Sequence, residues 1–302
     1  MTDAPVPDPR VSVAVITHLR PEELARTLDR LLALPERPRI VVVDNGADPA
    51  TEKVVAERPT VGLLAPGRNL GAAGRTLAAR ALQTPYVAFC DDDTWWEPGS
   101  LRAAADAFDD APRLAVVTAR ILVEPGARED PVVAELETSP LPRDADIPGL
   151  PIISFLAGAS VVRREAFLGV GGFEPRLLIG GEEELCAMDL QRQGWALAYL
   201  PYLTVHHHPS TARDPHLRRR QGIRNTLWTT WLRRPLPSAL RRTALLARGF
   251  PLDVHTARAV GDALRGLPWV LRARDPLPPE LDARHRSFDL LQTRSKARRY
   301  VS

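Results

Sequence analysis

Tyr86-Val87-Ala88-Phe89-Cys90-Asp91-Asp92-Asp93 is the stretch that decides the fold. An apolar run too short for a buried helix stops abruptly at three acids, which reads as a strand covered on both faces and leaving the core at Asp91. The same grammar precedes it. Val11 to Thr17 is β-rich and gives way to polar residues, and Ile40 to Val43 runs into Asp44-Asn45-Gly46, a strong turn signal. Between them, Pro21-Glu22-Glu23 opens a helix with Leu24, Leu28, Leu31 and Leu32 at helical spacing. Val61 to Leu64 predicts a further strand, Leu70 to Leu82 an alanine-rich helix, Ser100 to Phe108 another helix and Leu114 to Val123 another strand. Strands alternating with helices predict an α/β fold, a mostly parallel twisted sheet flanked by helices. Ligands of such sheets bind at the carboxyl ends of strands, where Thr17-His18, Asp44-Asn45-Gly46 and Asp91-Asp92-Asp93 fall. A nucleotide-binding crevice is the expectation.

Beyond this core the pattern changes twice. Glu124 to Gly149 is proline- and acid-rich with little periodicity, which predicts a long functional loop. Ile152 to Val162 resumes strand character, Glu182 to Gly194 reads as a helix, and Trp195 to Val205 as a strand broken at Pro201. From Thr211 onward Ile223, Leu227, Trp228, Trp231 and Leu232 share a helical face, flanked by Arg218, Arg219, Arg220, Arg224, Arg233 and Arg234. Two more helices are predicted before a basic tail. The expected organisation is a short flexible terminus (1–10), a catalytic α/β domain (11–210) and a basic helical C-terminal region (211–302).

The formal net charge of the 302 residues is only +3, but it is unevenly placed. Residues 211–302 carry 20 basic and 7 acidic side chains, a balance of +13, and residues 1–210 carry 20 and 30, a balance of −10. No apolar run is long enough to span a bilayer, and residues 1–10 lack the basic start and apolar stretch of a signal peptide. Two cysteines, Cys90 and Cys186, are too few for a disulfide framework. A cytoplasmic protein is expected.

Three consecutive acids at a strand end repel one another more than a helix cap requires, so a hard divalent cation such as Mg²⁺ or Mn²⁺ is the expected partner, with open positions for a diphosphate. If the backbone stays extended, Asp91 and Asp93 face the same way and Asp92 faces away. Gly67 to Arg75, which includes Asn69, brings a glycine-rich turn into a helix N-terminus, a setting that favours anions. Glu182-Glu183-Glu184 opens a helix after Gly180-Gly181 and can supply a general base as well as complement the dipole. His206-His207-His208 after a strand suggests a metal or phosphate contact, but not a structural zinc site. Neither Ser160 nor Cys186 has the setting of a nucleophile.

Taken in order, Val11 to Thr17, Val41-Val42-Val43-Asp44-Asn45-Gly46, Asn69-Leu70-Gly71, Phe89-Cys90-Asp91-Asp92-Asp93, Gly158-Ala159-Ser160, Gly171-Gly172-Phe173, Gly181-Glu182-Glu183, Gly194-Trp195 and the closing Pro201 and histidines resemble the family 2 glycosyltransferases of GT-A fold, over about residues 10–210. The resemblance implies an inverting transfer from a nucleoside-diphosphate sugar. It implies that Thr17, Asp44, Asn69, Arg75, Asp91 and Asp92 bind the nucleotide sugar, with Asp44 near the base and Arg75 near the phosphates. Asp91 to Asp93 match the family's DxD motif, so that Asp91 and Asp93, with His207, hold the cation. One of Glu182 and Glu183 is the implied base, and Glu183 is the one expected. Two stretches depart from the family pattern: Thr17-His18-Leu19-Arg20 where Thr-Tyr-Asn-Arg is usual, and Glu182-Glu183-Glu184-Leu185 where Glu-Asp-x-Asp-Leu is usual.

Other classes fit less well. A sugar-phosphate nucleotidyltransferase needs a glycine-rich N-terminal loop, and Thr17 to Arg20 has no glycine. A non-catalytic nucleotide-sugar-binding relative leaves the acidic clusters without a purpose. Nucleic acid is not expected as a partner, because the body is acidic and no recognition motif is present. The acceptor is expected to be a glycan or lipid-linked molecule of the cell envelope. The basic helices, with Trp228 and Trp231 beside arginines, are expected either to pack on the catalytic domain or to touch an anionic membrane at the inner face of the plasma membrane.

Overall fold

The computed structural model describes residues 7–209 and 215–294. The expected alternation runs through β1 (Val11–Thr17), α1 (Pro21–Leu32), β2 (Arg39–Asp44), α2 (Pro49–Ala56), β3 (Val61–Leu64), α3 (Gly74–Ala81) and β4 (Tyr86–Asp91). It continues with β5 (Thr94–Trp96), α4 (Ser100–Asp110), β6 (Leu114–Val123), β7 (Arg128–Glu129), α5 (Pro131–Glu137), β8 (Leu150–Pro151), β9 (Ser160–Arg163), α6 (Arg164–Gly169), α7 (Glu182–Arg192) and β10 (Ala196–His207). The C-terminal helices are α8 (Pro215–Arg233), α9 (Leu236–Gly249), α10 (Val254–Arg265), α11 (Leu267–Arg272) and α12 (Pro279–Arg294). The expected junction near residue 210 lies outside the described residues, as do residues 1–6 and the end of the basic tail.

The main strand order is β3-β2-β1-β4-β9-β6-β10-β5. Strands β1 to β4 pair in parallel, as do β6 and β10, whereas β9 lies antiparallel between β4 and β6. The central strands are apolar on both faces because helices cover both: Val13, Val15, Val42, Val87 and Phe89 are all fully buried.

Several local readings needed tertiary context. The helix expected over 70–82 begins as a 3-10 turn at Gly71–Ala73 and becomes α-helical at Gly74. Within 152–162 only Ser160–Arg163 is strand; the preceding segment crosses the sheet end as a 3-10 turn at Ala157–Ala159. Pro201 does not break β10, which absorbs it as a register shift between Leu200 and Thr204 against β6. The loop expected at 124–149 contains α5, capped by the Asp130 carboxylate accepting from Val132 N and anchored by buried Val133.

The C-terminal helices are knitted into the α/β body. Trp228 is buried, stacks edge-on against Trp269 and donates Nε1–H to the Ala263 carbonyl at 2.9 Å. Trp228, Leu232, Ala263 and Val270 form one cluster with Leu177 and Leu185 of the body. Packing on the catalytic domain, one of the two expectations for this stripe, is what Trp228 does; it offers no indole to a membrane. Much of the basic surplus is also spent internally. Arg233 makes a two-pronged pair with Asp189 (2.5 and 3.0 Å), and buried Arg234 spans Asp282 (2.5 Å) and Asp289 (3.0 Å). Arg242 reaches Glu184 of α7 at 2.7 Å.

His285 of α12 sits in this network, its Nε2 2.8 Å from Gln191 Oε1. Burial pushes the imidazole down to about 3 from 6.5; Arg234 and Arg242 push the same way and Glu184 and Asp282 oppose them. The unfolded chain therefore takes up a proton below pH 6.5 that the folded chain refuses. The stability contribution is complete above that pH and is lost as the pH falls toward about 3, at no more than about 1.4 kcal/mol per pH unit. The thermal midpoint of His285→Gln is expected to fall less than that of the native chain between about pH 6.5 and about pH 4.5. Parallel slopes would clear His285 of any part in acid sensitivity.

Candidate active site

The parallel register sets Thr17 beside Asp44 and Ile16 beside Asp91, so the polar ends of β1, β2 and β4 share one sheet edge. There the chain turns at Asp92-Asp93 before β5. Extended alternation, expected to put Asp91 and Asp93 on one face, therefore does not govern where these acids point. Asp91 ion-pairs with Arg75 and packs against Gly158, where a Cβ would come within 2.6 Å of Asp91 Oδ2. Asp92 turns inward, accepting from Thr17 Oγ1 at 2.9 Å and Arg20 Nη1 at 3.1 Å. Burial raises Asp92 to about 6 against the pull of Arg20 and Thr17. Asp93 lies 3.5 Å from Arg20 Nη1, and its Oδ1 is 3.7 Å from His207 Nε2.

The histidines arrive because β10 pairs antiparallel with β5, setting His206 across from Trp95 and His207 across from Thr94. Their rings diverge. His206 stacks on Trp95 and is held between Glu97 and Glu124, whereas His207 faces Asp93.

The residues that the resemblance assigns to the nucleotide sugar are firmly braced. Asp44 is fully buried, and both its oxygens accept backbone amides, from Gly46 at 2.7 Å and Asp48 at 2.8 Å. It shapes the loop after β2 and presents no carboxylate to solvent. Exposed Asn69 accepts from Gly71 N at 2.7 Å. Gly71 has φ +55° and is approached so closely that a Cβ would meet the Leu178 carbonyl oxygen at 2.0 Å, so no other residue fits without moving that loop. Arg75, at the start of α3, is buried, and its Nε has no hydrogen-bond partner among the described residues.

The three glutamates that open α7 point three ways. Glu182 is buried, and Oε2 has no hydrogen-bond partner among the described residues. Burial pushes its carboxyl well up, with the charge of Glu183 adding to the effect and Arg75 opposing it. Glu183 Oε1 accepts from Ala157 N at 3.1 Å and lines a cavity of about 930 Å³. Glu184 lines the same cavity and is paired there with Arg242.

Asp91, His207 and Glu183 open on that same cavity. Two carboxylates and an imidazole, Asp91, Asp93 and His207, fit Mg²⁺ or Mn²⁺ in donor chemistry. Among the described residues, however, no three acidic, histidine or cysteine side chains are gathered around one point, and Arg75 and Arg20 supply the counter-charge to the aspartates.

Sequence reasoning overlooked two groups. Arg20 bridges Asp92 and Asp93, although it lies within the quoted Thr17 to Arg20 stretch. Asn225 of α8 is fully buried and donates Nδ2 to the carbonyls of Leu177 (2.7 Å), Ile179 (3.0 Å) and Gly180 (2.6 Å), the loop that leads into α7. A polar residue within a helix carries no local signal for such a role.

Residues 12–170 match the family described as Glycosyl transferase family 2. The chain is 30% identical over 239 residues to the N-acetylglucosaminyl-diphospho-decaprenol L-rhamnosyltransferase of Mycobacterium tuberculosis, covering 67% of this chain and 78% of that protein. It is 31% identical over 198 residues to galactofuranosyltransferase GlfT1 of the same organism, covering 61% of this chain and 65% of that one. Among solved structures, the mannosyltransferase PcManGT of Pyrobaculum calidifontis, in complex with GDP-Man and Mn²⁺, superposes with a TM-score of 0.56 at 18% identity, over 95% of this chain and 88% of that one. GalNAc-T7 with UDP, GalNAc and Mn²⁺ gives 0.61 at 14% identity, over 89% of this chain and 58% of that one.

Proposed function

Because the chain belongs to glycosyl transferase family 2 and has the GT-A fold, we propose that it moves a sugar, with inversion, from a nucleoside-diphosphate sugar to a hydroxyl of a lipid-linked glycan in cell-wall polysaccharide synthesis. The observation that carries this reading is that Glu183 and Asp91 open on one cavity at the carboxyl edge of the sheet. The relative named for a decaprenol-linked substrate supports the acceptor class.

The glutamates divide the work by environment. Glu182 is buried and, with its carboxyl pushed up, stays neutral near pH 7, which spares Glu183 a second negative charge beside it. Glu184 is committed to Arg242. Glu183, in the cavity, accepts the acceptor hydroxyl proton as the new oxygen–carbon bond forms at the sugar; the bond to the diphosphate breaks, and the nucleoside diphosphate departs with that electron pair. Arg75 attracts the departing diphosphate, while Thr17 and Arg20 hold Asp92 and the Asp44 loop shapes the nucleoside end. A divalent cation held by Asp91, Asp93 and His207 would supply charge neutralisation of the diphosphate.

A thermal-shift panel of nucleoside-diphosphate sugars, GDP-mannose among them, with and without Mn²⁺ tests this. One donor is expected to raise the midpoint only with the metal, and Asp91→Asn with Asp93→Asn should lose that gain. An unchanged metal-dependent gain in the double variant would remove the two aspartates from the site.

The C-terminal helices also suit peripheral contact with an anionic membrane through exposed Leu240 and Leu252 beside Arg241 and Arg248. Among the described residues no helix is long and apolar enough to cross one.

A further inference from the structure

The cavity that holds Glu183 changes character along its wall. Asp91, His207 and Glu183 mark one part, and Thr17, Asp44 and Asn69 of the donor side do not line it. Elsewhere it is walled by α5, the segment before β9, α9 and α12, through Leu136, Ile153, Leu245, Leu246, Phe250 and Phe288. These side chains present hydrocarbon where a glycan would need hydrogen-bond partners, and unfilled apolar surface of this kind gains about 25 cal/mol per Å² when covered. The volume, about 930 Å³, is near the upper end of small-molecule pockets, roughly 300–1,000 Å³. Charged side chains share this wall: Arg218 of α8, Arg242 paired with Glu184, and the acids Asp130, Glu135 and Asp289.

We propose that this apolar part seats the hydrocarbon tail of a polyprenyl-type diphosphate acceptor, with Arg218 toward the diphosphate and the sugar hydroxyl toward Glu183. The proposal rests on the acceptor-side reading of Glu183 and extends it, giving the C-terminal helices a direct share in acceptor recognition. Two features select this occupant. The wall is continuous with the proposed base, and Leu136, Ile153, Leu245, Leu246, Phe250 and Phe288 give it hydrocarbon where the acceptor's tail would lie.

Calorimetric titration of the full chain with long-tailed farnesyl diphosphate and short-tailed isopentenyl diphosphate tests the tail separately from the head. Farnesyl diphosphate is expected to bind about tenfold tighter or more. Leu246→Gln and Phe288→Gln should each remove most of that preference while leaving isopentenyl diphosphate binding unchanged. Leu264→Gln, at an exposed leucine of α10 outside the cavity, should keep it. Equal affinity for the two probes in the native chain would overturn the proposal, as would a preference that survives both cavity variants or is lost equally in Leu264→Gln. Thermal stabilisation by nucleoside-diphosphate sugars, measured on the same proteins, separates the two readings. If donors stabilise but no tail preference exists, only the tail site fails; if the preference exists without donor stabilisation, the tail site stands and the donor reading fails.

Discussion

Glu183→Gln is expected to lower the rate of sugar transfer about 10²–10⁴-fold while leaving the donor dissociation constant within about twofold of the native value. The carboxylate lines the cavity and accepts one backbone hydrogen bond from Ala157, a contact that the glutamine carbonyl can keep. The substitution therefore removes proton acceptance with little change of shape, and the loss falls on kcat. Steady-state turnover with a lipid-linked acceptor, alongside donor titration, reads the two quantities separately. Turnover like that of the native chain would exclude Glu183 as the base, whatever the donor affinity.

Asn225→Ala has the second large expected effect, although Asn225 lies well along the chain from every acid of the site. The two N–H groups of its amide are shared among three carbonyls of that loop, at Leu177, Ile179 and Gly180, and the side chain is fully buried. Alanine removes these donors from the loop, although the Leu177 carbonyl keeps Arg224 Nη2 at 3.2 Å, a loss of about 1–3 kcal/mol. The same loop sets the start of α7 through Gly180 and Gly181, both at φ near +85°. Stability in urea and transfer rate should therefore fall together, with donor affinity less affected. A denaturation midpoint like the native one would show that water or a neighbouring donor replaces the amide.

Most of the sheet was legible because its strands are buried on both faces and end abruptly. Val11–Thr17 and Leu114–Val123 fall where hydrophobic runs place them, and each polar cluster after a strand lies at the sheet's carboxyl edge. Direction was harder to read than position. Asp91 and Asp93 were expected to face alike, but the turn at 92–93 gives each a separate arginine partner, and turn geometry leaves little trace in three identical residues. Sequence alone likewise put three histidines near the site and left open which one faces it; the β10–β5 pairing separates His207 from His206. The C-terminal helices were the least legible part. Their apolar stripe and arginines serve a membrane face and a packed face equally well, and it takes the Trp228 cluster with Leu177 and Leu185 and the pairs to Asp189 and Glu184 to distinguish the two.

The run Glu182-Glu183-Glu184 leaves one buried oxygen without a hydrogen-bond partner among the described residues, sets one side chain against Ala157 N in the cavity and ties one to Arg242 at the cavity wall. Successive helical residues turn through about 100°, so three neighbours sample three directions and nothing but position in the helix tells these chemically identical groups apart. The segment is thus a frame-dependent code: adding or deleting one residue in the Gly180-Gly181 turn would leave the three glutamates, their charge and their helix propensity in place, yet reassign the Arg242 anchor, the proposed base and the buried acid in a single step. Point substitutions at 182–184 should be tolerated or not one role at a time, whereas a single-residue length change just upstream would forfeit all three roles together.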